Sequence, residues 1–171
     1  MSDQPTAAPT RQGMPMLGIG TWEMTDPTAC RNAVQTALET GYRHVDTAQA
    51  YDNETHVGEG IAAADVPRED IFLATKVWRN RLDREGVLES TRASLDRLGV
   101  DSVDLLYVHW PIDSYDPTET LPALDDLVDD GVIDRIGLSN FEPDQLDEAL
   151  DRLDHDVFAH QVECHPLLPQ E

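Results

Sequence analysis

The sequence predicts an α/β fold, a parallel sheet with helices packed outside it, on three observations. Short apolar runs alternate with amphipathic stretches along most of the 171 residues. The runs are rich in Val, Ile, Leu and aromatic residues and lack polar alternation, which is how strands buried on both faces read. The amphipathic stretches open on Asp, Asn or Pro and mostly close on Gly, which is how helices start and stop. Strands recur about 24 to 33 residues apart, the rhythm of a βαβ chain.

Taken in order, the strands are "MLGIGTW" (16–22), "HVDTA" (44–48), "IFLATKVW" (71–78), "VDLLYVHW" (103–110), "DRIGLSN" (134–140) and "FAHQVEC" (158–164). Between them lie five helices. "DPTACRNAVQTALETG" (26–41) has an Asp cap, Pro27 at the first helical position and a closing Gly41. "NETHVGEGIAAADV" (53–66) has Asn53 as its cap. "DREGVLESTRASLDRLG" (83–99) and "DPTETLPALDDLVDDG" (116–131) open with Asp and close with Gly, and a fifth helix begins at Pro143. No GxGxxG follows the first strand, where "GIGTW" is the nearest approach, so a doubly wound dinucleotide fold is disfavoured. Residues 1–12 read as a flexible arm and 13–171 as one domain.

The chain is acidic, with 34 Asp plus Glu against 12 Lys plus Arg and a net charge of -22. At 40% hydrophobic it is still globular in composition. The acid falls in pieces such as "LDDLVDDG" and "DQLDEALDRLD", which read as solvated helix faces. Dense surface acid with a single lysine points to adaptation to high salt. Such a field repels nucleic acid and anionic lipid, so neither is expected as a partner. No apolar run approaches the roughly 18 residues of a membrane span, and "MSDQPTAAPTRQ" has no signal-peptide core, so a soluble, cytoplasmic protein is expected. Cys30 and Cys164 form neither a disulfide framework nor a CxxC site and read as two separate thiols.

The chemically suggestive residues share one address, the C-terminal end of a strand. Thr21 and Trp22 end the first. Asp46 follows the second, with Tyr51 in the loop beyond. Lys76 and Trp78 end the third, His109 and Trp110 the fourth, Ser139 and Asn140 the fifth, Gln161 and Glu163 the sixth. In a parallel barrel that rim carries the active site. Each residue alone has an ordinary structural explanation as a turn former, cap or core residue. Lys76 is harder to dismiss: it is the only lysine in the chain and sits in the apolar run "FLATKVW". Lysine is almost never buried without a partner, and Asp46 on the neighbouring strand is the candidate anion. Asp46, His109, Glu163 and His165 are a rival metal-ligand set, but no HxH or HExxH pair fixes two imidazoles on one ion, so no metal is expected.

The motifs "GIGTW", "GYRHVDTAQAYDNETHVGEGI", "LATKVW", "VDLLYVHWP", "RIGLSNF" and "HQVECHPLLPQ" resemble, in order and spacing, those of the aldo-keto reductase family. "HWPI", "RIGLSNF" and "HPLLPQ" are most similar to its prokaryotic 2,5-diketo-D-gluconate reductase-like branch. The resemblance implies a (β/α)8 TIM barrel and reduction of aldehydes or ketones with NADPH, NADH being the alternative cofactor. Tyr51 then matches the general acid, Lys76 the cation that lowers its pKa, Asp46 the carboxylate that pairs with the lysine, and His109 the histidine that orients the carbonyl. Ser139, Asn140 and Gln161 match the side chains that bond the nicotinamide carboxamide, with Gly20, Thr21 and Trp22 beside the same ring. Trp22, Trp78 and Trp110 match walls of the substrate pocket.

A barrel of this kind has eight strands in about 250 residues, and only about six βα units are present. The last two strands, which in the family carry the cofactor's phosphates, have no counterpart here. The expectation is therefore either a reductase whose sequence is a fragment, or whose barrel another chain completes, or a non-catalytic barrel remnant.

Overall fold

The computed structural model describes residues 8–170. A short antiparallel hairpin, β1 (Thr10–Arg11) and β2 (Met14–Pro15), precedes a six-stranded, wholly parallel sheet. Its strands are β3 (Ile19–Gly20), β4 (His44–Asp46), β5 (Phe72–Val77), β6 (Leu105–Val108), β7 (Ile136–Ser139) and β8 (Val157–Gln161), paired in sequence order. Helices α1 (Pro27–Glu39), α2 (Glu54–Ala63), α3 (Arg84–Leu98), α4 (Pro117–Asp129) and α5 (Pro143–Arg152) fill the five crossovers.

The helix signals in the sequence act as capping chemistry predicts. Asp26, Asp83 and Asp116 each accept a backbone N–H in the first turn of their helix, from Ala29, Gly86 and Thr118. Gly99 and Gly131 end α3 and α4 at φ of 68° and 69°, a conformation costly for any residue with a Cβ. Asn53 departs from its expected role. It stands at the cap position of α2, but its side chain makes no capping bond. It donates instead to the carbonyls of Thr21 and Met24 and accepts from Thr47, pinning the loop after β3.

The strands alternate between two apolar environments. Leu73, Val77, Leu106, Val108, Ile136 and Leu138 face outward into a core shared with Val34 and Leu38 of α1, Leu95 of α3 and Leu121 and Leu124 of α4. Phe72, Ala74, Leu105 and Tyr107 face inward and pack with Met14 of the hairpin and Phe158. Burying each large side chain contributes about 1.5–3 kcal/mol, which is why both faces must be apolar. Lys76 lies on the inward face, two residues beyond Ala74, at the C-terminal end of β5.

Two boundaries differ from the sequence expectation. Of 16–22, only Ile19 and Gly20 pair, opposite Val45 and Asp46, because β3 has a neighbour on one side only among the described residues. β8 is the other edge. The arm expected over 1–12 is ordered where it enters the hairpin at Thr10, because Met14 fills the bottom of the inward-facing cluster; residues 1–7 lie outside the described residues. Cys30 is buried in α1 and Cys164 is exposed after β8, both as free thiols. No described helix is long and apolar enough to cross a membrane.

Candidate active site

Pairing Gly20 with Asp46 and Lys76 with Tyr107 brings the C-terminal ends of the strands level. Their side chains converge on a cavity of about 670 Å³ lined by Tyr51, His109, Trp22, Trp78 and Trp110 on one side and by Ser139, Asn140 and Gln161 on the other. Trp22 and Trp110 are its exposed rim.

Lys76 does not line the cavity itself but lies behind Tyr51, 1% exposed. Its ammonium is ion-paired with Asp46 and donates to the Thr47 carbonyl at 2.9 Å. Burial pushes the Lys76 pKa down, and the charge and hydrogen bond of Asp46 oppose that shift. The other carboxylate oxygen of Asp46 accepts from Gln161 Nε2 at 2.9 Å. Tyr51 ends a single 3-10 turn, Gln49–Tyr51, placed over Lys76 with the Nζ atom 5.3 Å from its ring centroid.

In this arrangement burial outweighs the lowering expected of Lys76 at Tyr51. Burial pushes the phenol up to about 12, and Asp46 adds to the rise. The ammonium donates to Asp46 and to the Thr47 carbonyl, which uses two of its three N–H groups.

His109 follows β6 directly, edge-on to both Tyr51 and Trp78, with centroids at 5.7 and 5.0 Å. Burial, helped by the charge of Lys76, pushes its pKa down to about 4. Its Nδ1 is buried without a hydrogen-bond partner, which leaves Nε2 as the ring atom able to reach the cavity.

Asn140 takes a left-handed conformation at φ 61°. Its amide donates to the His109 carbonyl at 2.9 Å and to Ser139 Oγ at 3.0 Å, while Ser139 donates to the Gln161 carbonyl. These three thus hold one another in place. Among the described residues the amide oxygens of Asn140 and Gln161 accept no hydrogen bond, so both remain for the amide N–H of a ligand. A Cβ on Gly20 would meet nothing within 4 Å, so packing does not demand glycine there; Gly20 does not line the cavity but a separate cleft beside Asn32, Ala33 and Thr36 of α1. Thr21 does not line the cavity. It is fully buried, donating to Thr47 Oγ1 at 2.9 Å, because it ties the loop after β3 to the loop after β4.

The rival metal set does not converge: Asp46 pairs with Lys76, and His165 pairs with Glu163. Glu163 and Val162, at the rim after β8, join the cavity wall. Glu163 was expected on that rim from its place at the end of the sixth strand, whereas Val162, an apolar residue between two polar ones, carries no signal that would have marked it.

A model of the Aldo/keto reductase family matches residues 13–171. An aldo-keto reductase of Mycolicibacterium smegmatis is 44% identical over 159 residues, 92% of this chain and 58% of that protein. Two solved structures superpose well. A putative 2,5-diketo-D-gluconic acid reductase B gives a TM-score of 0.85 at 40% identity, covering 89% of this chain and 54% of that one. A Bombyx mori aldo-keto reductase in complex with NADP gives 0.90 at 33% identity, covering 97% and 61%. The chain belongs to the aldo-keto reductase family, and its six parallel strands follow that family's (β/α)8 barrel. It spans a little over half the length of the relatives it matches.

Proposed function

We propose that this chain carries the proton-transfer half of a carbonyl reductase, which reduces a small aldehyde or ketone to the alcohol with NADPH, or NADH in its place. One observation carries the reading: a buried Lys76–Asp46 pair lies beneath a tyrosine and a histidine that share one cavity. Ser139, Asn140 and Gln161 would hold the nicotinamide carboxamide. The cofactor, when bound, supplies hydride to the carbonyl carbon.

The chain's own residues act on the oxygen. His109, neutral above a pKa of about 4, donates one N–H bond to the carbonyl oxygen without adding charge. Tyr51, with its pKa near 12, is fully protonated at neutral pH and so is always present as the acid. A phenol this weak does not protonate a ground-state carbonyl. It does protonate an alkoxide, which is far more basic, so transfer becomes favourable as negative charge builds on the oxygen. Lys76 supplies a nearby cation for the phenolate left behind, and Asp46 keeps that cation charged in a buried position.

The test follows NADPH absorbance at 340 nm with a simple aldehyde for wild type and Tyr51→Phe. The variant is expected to lose at least a hundredfold in kcat, the scale of general acid catalysis, with folding unchanged. Equal rates would remove Tyr51 from its role.

A second reading rests on the two sheet edges: β3 and β8 each pair on one side only among the described residues. The cofactor's hold would then depend on further strands, from a continuation of this polypeptide or from another chain. NADPH titrated against the 171-residue chain by fluorescence separates the readings. Micromolar affinity favours a self-sufficient site, and no binding favours one completed elsewhere.

A further inference from the structure

Glu54 is the most deeply buried carboxylate among the described residues, and the proposed chemistry does not use it. It opens α2 three residues after Tyr51, with its side chain 1% exposed. One oxygen accepts from Thr75 Oγ1 at 2.5 Å. The other accepts from Arg97 of α3, through Nε at 2.9 Å and Nη2 at 2.6 Å. Thr75 immediately precedes Lys76 on β5, and alternation along the strand puts the two on opposite faces, Thr75 toward the helices and Lys76 toward the cavity. The network extends further. Arg97 also donates to Ser94 Oγ at 3.0 Å, which accepts from Gln49 Nε2 at 3.1 Å, and Gln49 Oε1 accepts from the Trp78 N–H at 3.0 Å. From α3, therefore, one polar chain grips positions 49 and 54 on either side of Tyr51, and positions 75 and 78 on either side of Lys76.

We propose that Glu54 is a positioning residue for this site: a second carboxylate, set by Arg97 and Thr75 on the helix side of the sheet, that acts through β5 on the Lys76 ammonium. A buried glutamate is costly, and an apolar side chain would pack α2 against β5 at less expense. What the carboxylate adds is negative potential behind a lysine that burial drives toward its neutral form. Arg97 does not cancel it. The arginine side chain is 41% exposed, so water screens its charge, whereas Glu54 is enclosed. The groups facing Lys76 are Asp46 and His44 of β4, Tyr51, Tyr107 of β6, His109 and Glu54. Of these only Asp46 and Glu54 are carboxylates, and Glu54 acts from the opposite side of the sheet. The inference rests on the proposed roles of Lys76 and Tyr51, but its test reads the lysine itself and needs no turnover.

Lys76 being the only lysine, chain labelled with ¹³Cε-lysine gives one side-chain signal whose shift reports its titration. In Glu54→Gln the midpoint is expected to fall by about half a pH unit or more, as loss of a nearby opposite charge requires. Ser94→Ala loosens the same polar network without removing a charge, and should leave the midpoint close to wild type. That contrast is the signature, because general loosening of the site would move both variants alike. Glu54→Asp should restore most of the wild-type midpoint. An unmoved midpoint in Glu54→Gln, or an equal shift in Ser94→Ala or in the exposed control Glu89→Gln, would overturn the proposal. If Glu54→Gln does not fold, Glu54→Met, an apolar side chain of similar length that needs no partner, decides it by the same readout: an unmoved midpoint is then the overturning result.

Discussion

Gln161, at the end of β8, donates a 2.9 Å hydrogen bond to Asp46, 115 residues earlier at the end of β4. The bond crosses the inside of the barrel and fastens an edge strand to the charged centre. It also sets up an asymmetry between its partners. Gln161→Ala removes one hydrogen bond from a part-buried carboxylate and should cost about 1 kcal/mol. Asp46→Asn leaves the Lys76 ammonium, 1% exposed, without an anion, and should cost about 3–5 kcal/mol at pH 7. The sign of the pH dependence follows. The folded-state pKa of Lys76 is already lowered by burial, and loss of Asp46 lowers it further. The unfolded chain then binds more protons than the folded one, so stability rises with pH until the unfolded lysine also loses its proton, near 10.4. Urea denaturation at pH 7 and pH 9.5 should show the Asp46→Asn deficit shrinking at the higher pH. A deficit that grew would mean that Lys76 is not the group left stranded.

His109 should stay neutral well below the range in which histidines ordinarily gain a proton. Burial, with Lys76 beside it, holds its pKa near 4, against about 6.5 in the unfolded chain. Between those values the unfolded chain binds the extra proton and the folded one does not, so stability is lost as pH falls from about 6.5 toward 4. Imidazole ¹⁵N shifts, assigned by comparison with His109→Gln, should show the His109 ring still neutral at pH 5. Titration of His109 near 6.5 would mean that the site is wetter than its packing indicates, and would turn its role from a neutral donor into a charged one.

The sheet and helices were legible because their signals are local. Continuous apolar runs report strands buried on both faces, and Asp–Pro openings with closing glycines report helix ends. The rim was legible for the same reason: a polar residue ending an apolar run stands out, and Tyr51, His109, Ser139, Asn140 and Gln161 meet at the cavity, with the Lys76–Asp46 pair behind Tyr51 and Gln161. What depended on balance or on distant partners was not legible. The direction of the Tyr51 shift comes from burial with the Asp46 charge adding to it, which no motif encodes. Thr21 and Asn53 read as ligand and cap, but both serve the joint between two loops. Glu54 read as one acid among 34, because nothing in the sequence says that Arg97 and Thr75 enclose it.

Two glycines in the motifs should respond differently to alanine. A Cβ on Gly58 would strike the backbone of Leu98, where α2 crosses the end of α3. Backbone cannot step aside as a side-chain tip can, so Gly58→Ala should destabilise by about 2 kcal/mol or more. A Cβ on Gly20 meets no protein atom within 4 Å. Gly20→Ala should therefore leave the melting temperature unchanged. Calorimetry on the two variants separates a packing glycine from one that packing does not demand. Loss of stability in Gly20→Ala would mean that the end of β3 is packed more tightly than its cleft indicates.

The acidity of the surface makes the final prediction. With a net charge of -22, the described residues pair only a few exposed acids, among them Asp126 with Arg84, Asp130 with Arg92 and Glu148 with Arg152. Such exposed pairs are worth about 0–1 kcal/mol each and do not offset the repulsion among the remaining acids. That repulsion favours the expanded chain, and salt weakens it as the Debye length falls from about 10 Å at 0.1 M to about 3 Å at 1 M. The Lys76–Asp46 pair, enclosed on both sides, is less accessible to ions and should survive the same screening. The melting temperature should therefore climb steeply between 0.1 and 1 M KCl and more slowly above it. An added test is to neutralise acid on α4 and α5 with Asp126→Asn, Asp147→Asn and Asp151→Asn together, which should reduce the salt dependence. A melting temperature that did not rise with KCl would show that the acid is not a destabilising field relieved by salt, and the high-salt reading of the composition would fail.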